Sequence, residues 1–288
     1  MSYTLVNTHL QFVLNPSSAT WSLFSSRGDG PYLEDVSQYI LFRRKRGRFR
    51  ALERWKNVRV ERVERESPHG IVAQLDVSLG PDQNDLHYTL RFALPEVHPV
   101  LLWQVEVDNQ GDDPVEIEYI EMLTAGFFPE KRLLPQAGPV VLDLSNPPGG
   151  HGVIRPYPDP GELAFFSNGW QSWSHTGVYG ADQRYRDTRL GALGAPMWYN
   201  PGTPRPKKRS HFGSDMFGVL GDRVHRTGIL AGFLSQKQHF GSLEAWIGEP
   251  LYPALRLWAN GDRARLEPGA SISTDWACIQ FVDIDAPD

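Results

Sequence analysis

The chain has 288 residues, of which 40% are hydrophobic, 22% charged and 11% aromatic, so it is long enough to bury a substantial core in one large or two ordinary domains. Its net charge of −5 gives no reason to expect nucleic acid or an acidic membrane surface as a partner. The nine tryptophans stand out more than the charge does.

Cysteine usage and the N-terminus bear on the compartment. The single cysteine, Cys278, excludes an intrachain disulfide and suits a reducing compartment, so we predict a cytoplasmic protein, although a disulfide-free secreted protein is left open. The residues from Met1 to Val6 show no basic segment followed by an apolar run, so no secretory signal is visible. No stretch approaches the ~20 apolar residues of a membrane span.

The first 128 residues alternate apolar and polar side chains with a period of two, which predicts a series of β-strands. Residues 8–14 and 20–25 flank a turn and predict a hairpin. Further strands are predicted at 57–63, 71–79, 86–94, 100–107 and 115–123, with Gly-, Pro- and Asp-containing turns between them. No stretch has a long apolar pattern at helical spacing. The predicted fold class is therefore all-β, a large antiparallel β-sandwich with long irregular loops.

A basic patch from Arg43 to Arg50 interrupts this series. In isolation such a patch could bind a polyanion. Acidic residues surround it and the total charge is negative, so we interpret it as a solvated strand edge or turn, where like charges discourage unwanted pairing.

Residues 129–160 are rich in proline and glycine and predict a crossover between two sheets or subdomains. We predict one β-supersandwich domain over 1–288, with 1–128 and 161–288 as the halves into which it could divide. Strands return after the crossover, with Asn260-Gly261 as a predicted turn. These later strands are predicted at 163–166, 214–220, 228–235, 241–247, 254–259 and 273–282.

The stretch from Ser167 to Ser174, which reads SNGWQSWS, is the most unusual in the chain. The rings of Trp170 and Trp173 could stack on a sugar while Asn168 and Gln171 bind its hydroxyl groups, which is the mixed lining of a small-molecule site. Alternatively, both tryptophans fill the sandwich core and the polar residues only make a turn. The residues alone support the two interpretations equally.

An irregular aromatic segment, 182–209, follows this stretch. Its length and its lack of periodicity are typical of a functional loop, or of a packed arm used in oligomer contacts.

A direct search for catalytic and cofactor chemistry finds few signals. The nine histidines are scattered and there is one cysteine, so no metal site is predicted. A Gly-rich phosphate loop and a Gly-x-Ser-x-Gly elbow are both absent from the sequence, and we predict no cofactor.

Glycoside hydrolysis requires a pair of carboxyl groups, and the sequence does not place any two together. The candidates in the second half are Asp182, Asp187, Asp215, Asp222 and Glu244. Asp215 is the one we take as a candidate binding residue, because it lies at the start of a predicted strand. The alternative is a turn-capping carboxylate that is hydrogen-bonded to the backbone.

Three motifs in the second half, Asn168 to Trp173, Ser214 to Phe217 and Gly232 to Lys237, resemble the N-terminal β-sandwich of the α-galactosidases of glycoside hydrolase family 36. The resemblance is specific over roughly 165–283 and only architectural over the first 160 residues. It implies that a (β/α)₈ barrel follows the sandwich and holds both catalytic aspartates of a retaining mechanism. No alternating strand and helix pattern occurs in this chain, so no catalytic residue is assigned to it.

The resemblance also implies roles for the tryptophans. In the family the Trp-Gln-Ser-Trp loop reaches over the barrel, and its second tryptophan, which matches Trp173, lines the sugar subsite. Trp170 matches the first and is expected in the sandwich wall. The family's sandwich contributes to oligomer contacts, so a homo-oligomer is a further expectation.

The function that follows is that of the non-catalytic N-terminal part of an α-galactosidase-like enzyme, with the barrel in the same or another chain. Its substrate would be an α-galactoside or another α-linked sugar. Compared with the shorter bacterial members of the family, this chain has a longer first half and a longer arm at 182–209, and these differences leave the choice of sugar open. The alternatives are a free-standing carbohydrate-binding sandwich and a structural assembly domain.

Overall fold

The computed structural model describes residues 2–26, 32–37, 40–44, 50–52, 57–67, 70–80, 85–126, 153–155, 159–172, 174–186, 188, 200, 202–249 and 253–283. These residues form 21 β-strands, one short 3-10 turn at Pro160–Glu162 and no α-helix. All strand pairs are antiparallel, which confirms the predicted all-β sandwich. No helix in this described part of the chain has the length and apolar character needed to cross a membrane.

The strands, in chain order, are β1 (Tyr3–Val6), β2 (Leu10–Asn15), β3 (Thr20–Ser25), β4 (Tyr32–Ser37), β5 (Ile40–Arg44), β6 (Arg50–Leu52), β7 (Val58–Ser67), β8 (Gly70–Leu79), β9 (Leu86–Pro95), β10 (Val100–Asn109), β11 (Val115–Ala125), β12 (Val153–Arg155), β13 (Leu163–Ser167), β14 (Gly177–Gly180), β15 (His211–Asp215), β16 (Phe217–Asp222), β17 (Thr227–Phe233), β18 (Gly241–Trp246), β19 (Ala254–Leu266), β20 (Ser271–Ser273) and β21 (Ala277–Asp283).

The strands form two sheets. Sheet one runs in the order β1-β2-β3-β4-β11-β19-β18-β15, with β12 paired to β4 and with β5 paired to β11 and β6. Sheet two runs β14-β13-β16-β17-β21-β10-β9-β8-β7, with β20 paired to β10. Each sheet therefore combines strands from before residue 129 and after residue 160. The crossover itself lies mostly outside the described residues, and the division into halves at 1–128 and 161–288 stays a prediction.

The alternation of side chains along each strand, with a period of two, determines which residues form the core. Along β10 buried and half-buried residues alternate without exception, because successive side chains point to opposite faces of a strand. Aromatic rings then join the sheets. Phe12 and Trp21 of sheet one contact Phe92 and Trp103 of sheet two, with ring centroids 4.8 to 6.3 Å apart. Burying each such side chain contributes roughly 1.5–3 kcal/mol, so this cluster is a main stabiliser of the sandwich.

The predicted strand 214–220 is wrong in one respect, because it is two strands in different sheets. β15 ends at Asp215 in sheet one and β16 begins at Phe217 in sheet two. Met216 between them has a φ of 68°, a left-handed conformation that a non-glycine residue rarely adopts and that the sequence did not signal. Its N–H donates to the Gly241 carbonyl and its own carbonyl accepts the Phe233 N–H, both at 3.0 Å.

The predicted turn at Asn260-Gly261 is also wrong, because β19 continues through it to Leu266. Instead of turning back, the chain forms a β-bulge after Asn260. Tyr119 of β11 pairs with Asn260 and Ile117 pairs with Ala264, so residues 261–263 lie opposite Glu118 alone. Asp262 and Arg263 in this bulge have φ values of 51° and 57°.

Candidate functional site

One end of the sandwich, which we call the loop end, gathers segments that are distant in sequence. The strand pairs Ser167 with Gly218, Phe217 with Gly232 and Asp215 with Ser242 place the end of β13, the β15–β16 junction, the end of β17 and the start of β18 at this end. The connections that meet there are 168–176, 234–240 and the β19 bulge at 261–263. The three sequence motifs at 168–173, 214–217 and 232–237 therefore converge at the loop end.

The tryptophan loop, residues 168–176, connects β13 to β14 and closes on itself through local hydrogen bonds. The Ser174 N–H donates to the Gln171 carbonyl at 2.8 Å, and the Ser174 hydroxyl accepts the Gln171 N–H at 3.1 Å. The Gly169 N–H donates to the Thr176 hydroxyl at 3.0 Å. A Cβ at Gly169 would lie 2.7 Å from the Ser174 Cβ, so this close approach requires glycine.

The base of the loop is fixed to β15 by Asn168. Its carbonyl accepts the Asp215 N–H at 3.1 Å, and its amide Nδ2 donates to the Asp215 carbonyl at 2.9 Å. The Asn168 N–H donates to the Ser214 hydroxyl at 2.8 Å. Two predicted site residues, Asn168 and Asp215, are thus in direct contact, and the Asn168 Nδ2 group anchors the loop.

The remaining predicted residues of the loop have different surroundings. Trp170 is half-buried and packs edge-on against Phe240, with the ring centroids 4.7 Å apart at 84°. Its indole Nε1 is buried and has no hydrogen-bond partner among the described residues. Gln171 is exposed. Trp173 lies outside the described residues, so its role stays a prediction.

Asp215 is buried, with 3% of its surface exposed. The Thr203 hydroxyl donates to its Oδ1 at 2.5 Å and is 2.8 Å from the Ser242 hydroxyl. Burial raises the pKa of Asp215 to about 6, against the opposing effects of the Thr203 hydrogen bond and the Arg205 guanidinium. A sugar could contact this carboxylate only if residues 203–205 moved away, so its role in binding also stays a prediction.

The Ser242 hydroxyl links Asp215 to a wider buried polar network. It accepts hydrogen bonds from Asn260 Nδ2 at 2.8 Å and from Asn200 Nδ2 at 3.2 Å. Asn260 Oδ1 accepts the Trp258 indole N–H at 3.0 Å. Residues of the predicted arm at 182–209 are therefore part of the packed interior at this end. Sequence reasoning missed them, because nothing local in Asn200 or Thr203 indicates burial.

The 234–240 connection, which we call the clamp loop, is held by Asp275. That carboxylate accepts the Ser235 hydroxyl and the backbone N–H groups of Gln238 at 2.9 Å and His239 at 3.4 Å. The Asp275 N–H donates to His239 Nε2 at 2.7 Å. Burial opposes ionisation of Asp275, but the Ser235 and Gln238 hydrogen bonds outweigh it and hold its pKa below the ordinary value.

A cleft of about 280 Å³ opens beside the clamp loop. Its walls are residues 236–240, residues 259–262 and Ala264 at the β19 bulge, residues 272–274 at β20, and Ile120 of β11. Phe240 lines the cleft and its ring also contacts Trp170, so the cleft and the tryptophan loop are neighbours.

The other carboxylates considered for hydrolysis lie apart from the tryptophan loop or have partners of their own. Asp182 is exposed, and Asp187 lies outside the described residues. Asp222 accepts the N–H groups of Val224 and His225, and Glu244 pairs with His211 at 2.7 Å. No group of three metal-ligating side chains converges in the ranges given above.

The sequence matches no protein-family model and no curated protein. The structure, in contrast, is similar to solved glycosidases. An α-galactosidase of glycoside hydrolase family 36, AgaA from Geobacillus stearothermophilus, superposes with a TM-score of 0.57 and 11% identity over 98% of this chain and 41% of that chain. The α-galactosidase from Lactobacillus brevis gives a TM-score of 0.54 and 10% identity over 98% of this chain and 39% of that chain.

An α-N-acetylgalactosaminidase from Bifidobacterium bifidum, solved with GalNAc, gives a TM-score of 0.55 and 8% identity over 98% of this chain and 36% of that chain. At identities this low, the TM-scores show a shared fold alone. This chain resembles a part of each of these glycosidases, and it spans between 36% and 41% of the chains just compared. The fold-level resemblance inferred from three motifs is thereby confirmed, and it extends over nearly the whole chain.

Proposed function

We propose that this chain is the non-catalytic β-sandwich part of an α-galactosidase-like glycoside hydrolase and that its tryptophan loop forms part of the sugar site. The observation that carries the proposal is the fold match, which covers 98% of this chain but only 41% of AgaA. In this proposal the catalytic carboxylates belong to a barrel domain in the same or another chain.

The similar structures support the proposed substrate class. AgaA variants have been solved with raffinose and with stachyose, and the Bifidobacterium bifidum enzyme has been solved with GalNAc. The proposed substrate is accordingly an α-linked galactose-type sugar. The sandwich would also take part in oligomer contacts, and sedimentation at several protein concentrations tests that expectation.

Within the loop we propose a division between Trp170 and Trp173. Trp170 packs on Phe240 and seats the loop on the sandwich, while Trp173 and the exposed Gln171 reach the sugar. The hydrogen bonds of Asn168 to β15 support this arrangement, because they hold the loop base at a fixed position relative to both sheets.

The test is Trp173→Ala in the enzyme that contains the catalytic domain, with kcat/KM for a nitrophenyl α-galactoside and the thermal midpoint measured together. Losing a stacking face should lower kcat/KM by about tenfold or more, roughly 1.4 kcal/mol, and leave the midpoint unchanged. Val178→Ala is the matched control, because Val178 is 61% exposed on neighbouring β14.

Unchanged kcat/KM in a folded Trp173→Ala enzyme would remove the loop from the sugar site. A loss of folding would instead place Trp173 in the core. Sugar binding by this chain without a catalytic domain, abolished by Trp173→Ala, would favour the free-standing carbohydrate-binding module.

A further inference from the structure

The cleft beside the clamp loop has walls of unusual composition. Its side chains include two free amides, Gln236 and Gln238, one cation, Lys237, and one anion, Asp262. None of these four side chains makes a hydrogen bond or ion pair with another residue in the described ranges. Ser273 adds a hydroxyl, and Phe240 presents a ring that is 38% exposed.

This composition restricts the occupant. One positive and one negative side chain leave the cleft without a net charge, which disfavours phosphate, a polyamine or any other highly charged ligand. The cleft also has apolar lining residues, but a lipid chain would bury the amide and charged side chains without offering them hydrogen-bond partners, which disfavours a lipid. Amides both donate and accept hydrogen bonds, as hydroxyl groups do, so the side chains of Gln236 and Gln238 match a polyhydroxylated molecule.

The walls are also held in place before any ligand arrives. Asp275 fixes the backbone of the clamp loop through the Gln238 and His239 N–H groups, while the Gln238 side chain makes no hydrogen bond to the described residues. At the β19 bulge, Asn260 Nδ2 donates to the Phe240 carbonyl at 2.8 Å and connects the bulge to the clamp loop. A pre-formed site of this kind avoids the entropic cost of ordering its walls on binding.

We infer that this cleft is a second binding site, distinct from the tryptophan loop, for a neutral polyhydroxylated ring such as a single saccharide unit. Its volume of about 280 Å³ is at the lower end for small-molecule sites and suits one ring. Gln238 of the clamp loop and Asp262 of the bulge bind hydroxyl groups, and the Phe240 ring covers an apolar face. This site requires no catalytic domain and is independent of the proposed function.

The cleft is coupled to the tryptophan loop through one ring. Phe240 lines the cleft and packs against Trp170 with centroids 4.7 Å apart. A ligand on Phe240 therefore changes the surroundings of the Trp170 indole, so the indole signal should shift together with the amides of residues 236–240.

The test is a two-dimensional ¹H–¹⁵N NMR titration of the whole chain with D-galactose, D-glucose and myo-inositol. For a ring of about 12 heavy atoms we expect a Kd of about 1 mM, with shifts of the amides of residues 236–240 and 260–264 and of the Trp170 indole. Gln238→Ala and Asp262→Asn should each weaken binding about tenfold. Both residues are exposed, and the spectra of the free variants verify that the fold is retained.

Val178→Ala is the matched control, because Val178 is 61% exposed on β14 and does not line the cleft, so the change should leave cleft binding unchanged. The inference is overturned if none of the three probes shifts these amides at tens of millimolar, or if Gln238→Ala and Asp262→Asn bind as tightly as the parent. Shifts confined to residues 168–176 would also overturn it, while supporting a sugar role for the tryptophan loop.

Discussion

Replacing Asp215 with asparagine should stabilise this protein above neutral pH, although Asp215 is buried and hydrogen-bonded. Its carboxylate is 3% exposed, and burial raises its pKa from 3.8 to about 6. A folded-state pKa above the unfolded value means that the folded protein binds the proton more tightly. The stabilising contribution of Asp215 is then fully present below pH 3.8 and is lost as the pH rises through 6.

The size of the effect follows from the shift. A difference of roughly two pKa units corresponds to about 3 kcal/mol that the ionised carboxylate costs at pH 8. The asparagine side chain would keep an oxygen acceptor for Thr203 but would add an N–H₂ group that needs a partner, at a cost of about 1 kcal/mol. We expect Asp215→Asn to raise the free energy of unfolding by about 2 kcal/mol at pH 8, or the thermal midpoint by about 3 °C.

Urea denaturation of the parent chain and Asp215→Asn at several pH values between 4 and 8 measures this difference. The variant should gain on the parent as the pH rises and lose its advantage near pH 4. Asp262→Asn, on the exposed bulge, is the matched control and should stay within about 0.5 kcal/mol of the parent throughout. A variant that is less stable than the parent at pH 8, or a difference that does not depend on pH, would refute the reasoning.

Three other changes test other parts of the structure. Asp275→Asn should destabilise the fold by about 2–4 kcal/mol at pH 7, because it weakens the hydrogen bonds from Ser235, Gln238 and His239. Since the folded-state pKa of Asp275 is lowered, this loss of stability should shrink as the pH falls below 4 in the same urea series. A loss of stability that grows in acid would contradict the assignment. Gly169→Ala should cost about 1–3 kcal/mol by thermal denaturation, because the new Cβ would lie 2.7 Å from that of Ser174; an unchanged midpoint would mean that the loop turns differently. Cys278 is buried and burial raises its pKa to about 11, so a thiol reagent at pH 8 should react with it in urea and not in the native protein, and rapid native labelling would place it at the surface.

The strand pattern could be predicted from the sequence because it is local. Along β10 each residue's burial follows from the alternation of side chains, and the structure reproduces it without exception. Likewise, the hairpin of β2 and β3 follows from two apolar runs around a turn. The motif resemblance added the fold family's architecture, which composition alone does not supply.

The errors concern backbone conformations and contacts that depend on distant residues. Met216 takes a left-handed conformation because β15 and β16 belong to different sheets, and no local signal distinguishes it from a strand residue. Asn260-Gly261 has the sequence of a hairpin turn, but β19 resumes its pairing with β11 at Ala264, so the residues between form a bulge.

The burial of Asp215 depends on Thr203, twelve residues earlier, and on Ser242 in β18. The hydrogen bond from Ser235 to Asp275 joins residues 40 positions apart. Neither contact has a spacing that a single sequence reveals. The sequence therefore located the tryptophan loop and Asp215 as candidates but not the buried network and the cleft around them.

The base of the tryptophan loop has a consequence for how such a protein can change over evolution. The Asn168 carbonyl accepts the Asp215 N–H, and the main chain of Met216, immediately after β15, bonds to both β17 and β18, so main-chain groups share the anchoring of the loop root with the Asn168 side chain. Main-chain bonds survive most substitutions. This main-chain part of the anchor does not depend on the side chains of the exposed tip residues Gln171 and Ser172, which can therefore be exchanged while the root stays in place. The fold of the sandwich can therefore be inherited unchanged while the side chains at the tip of this loop vary.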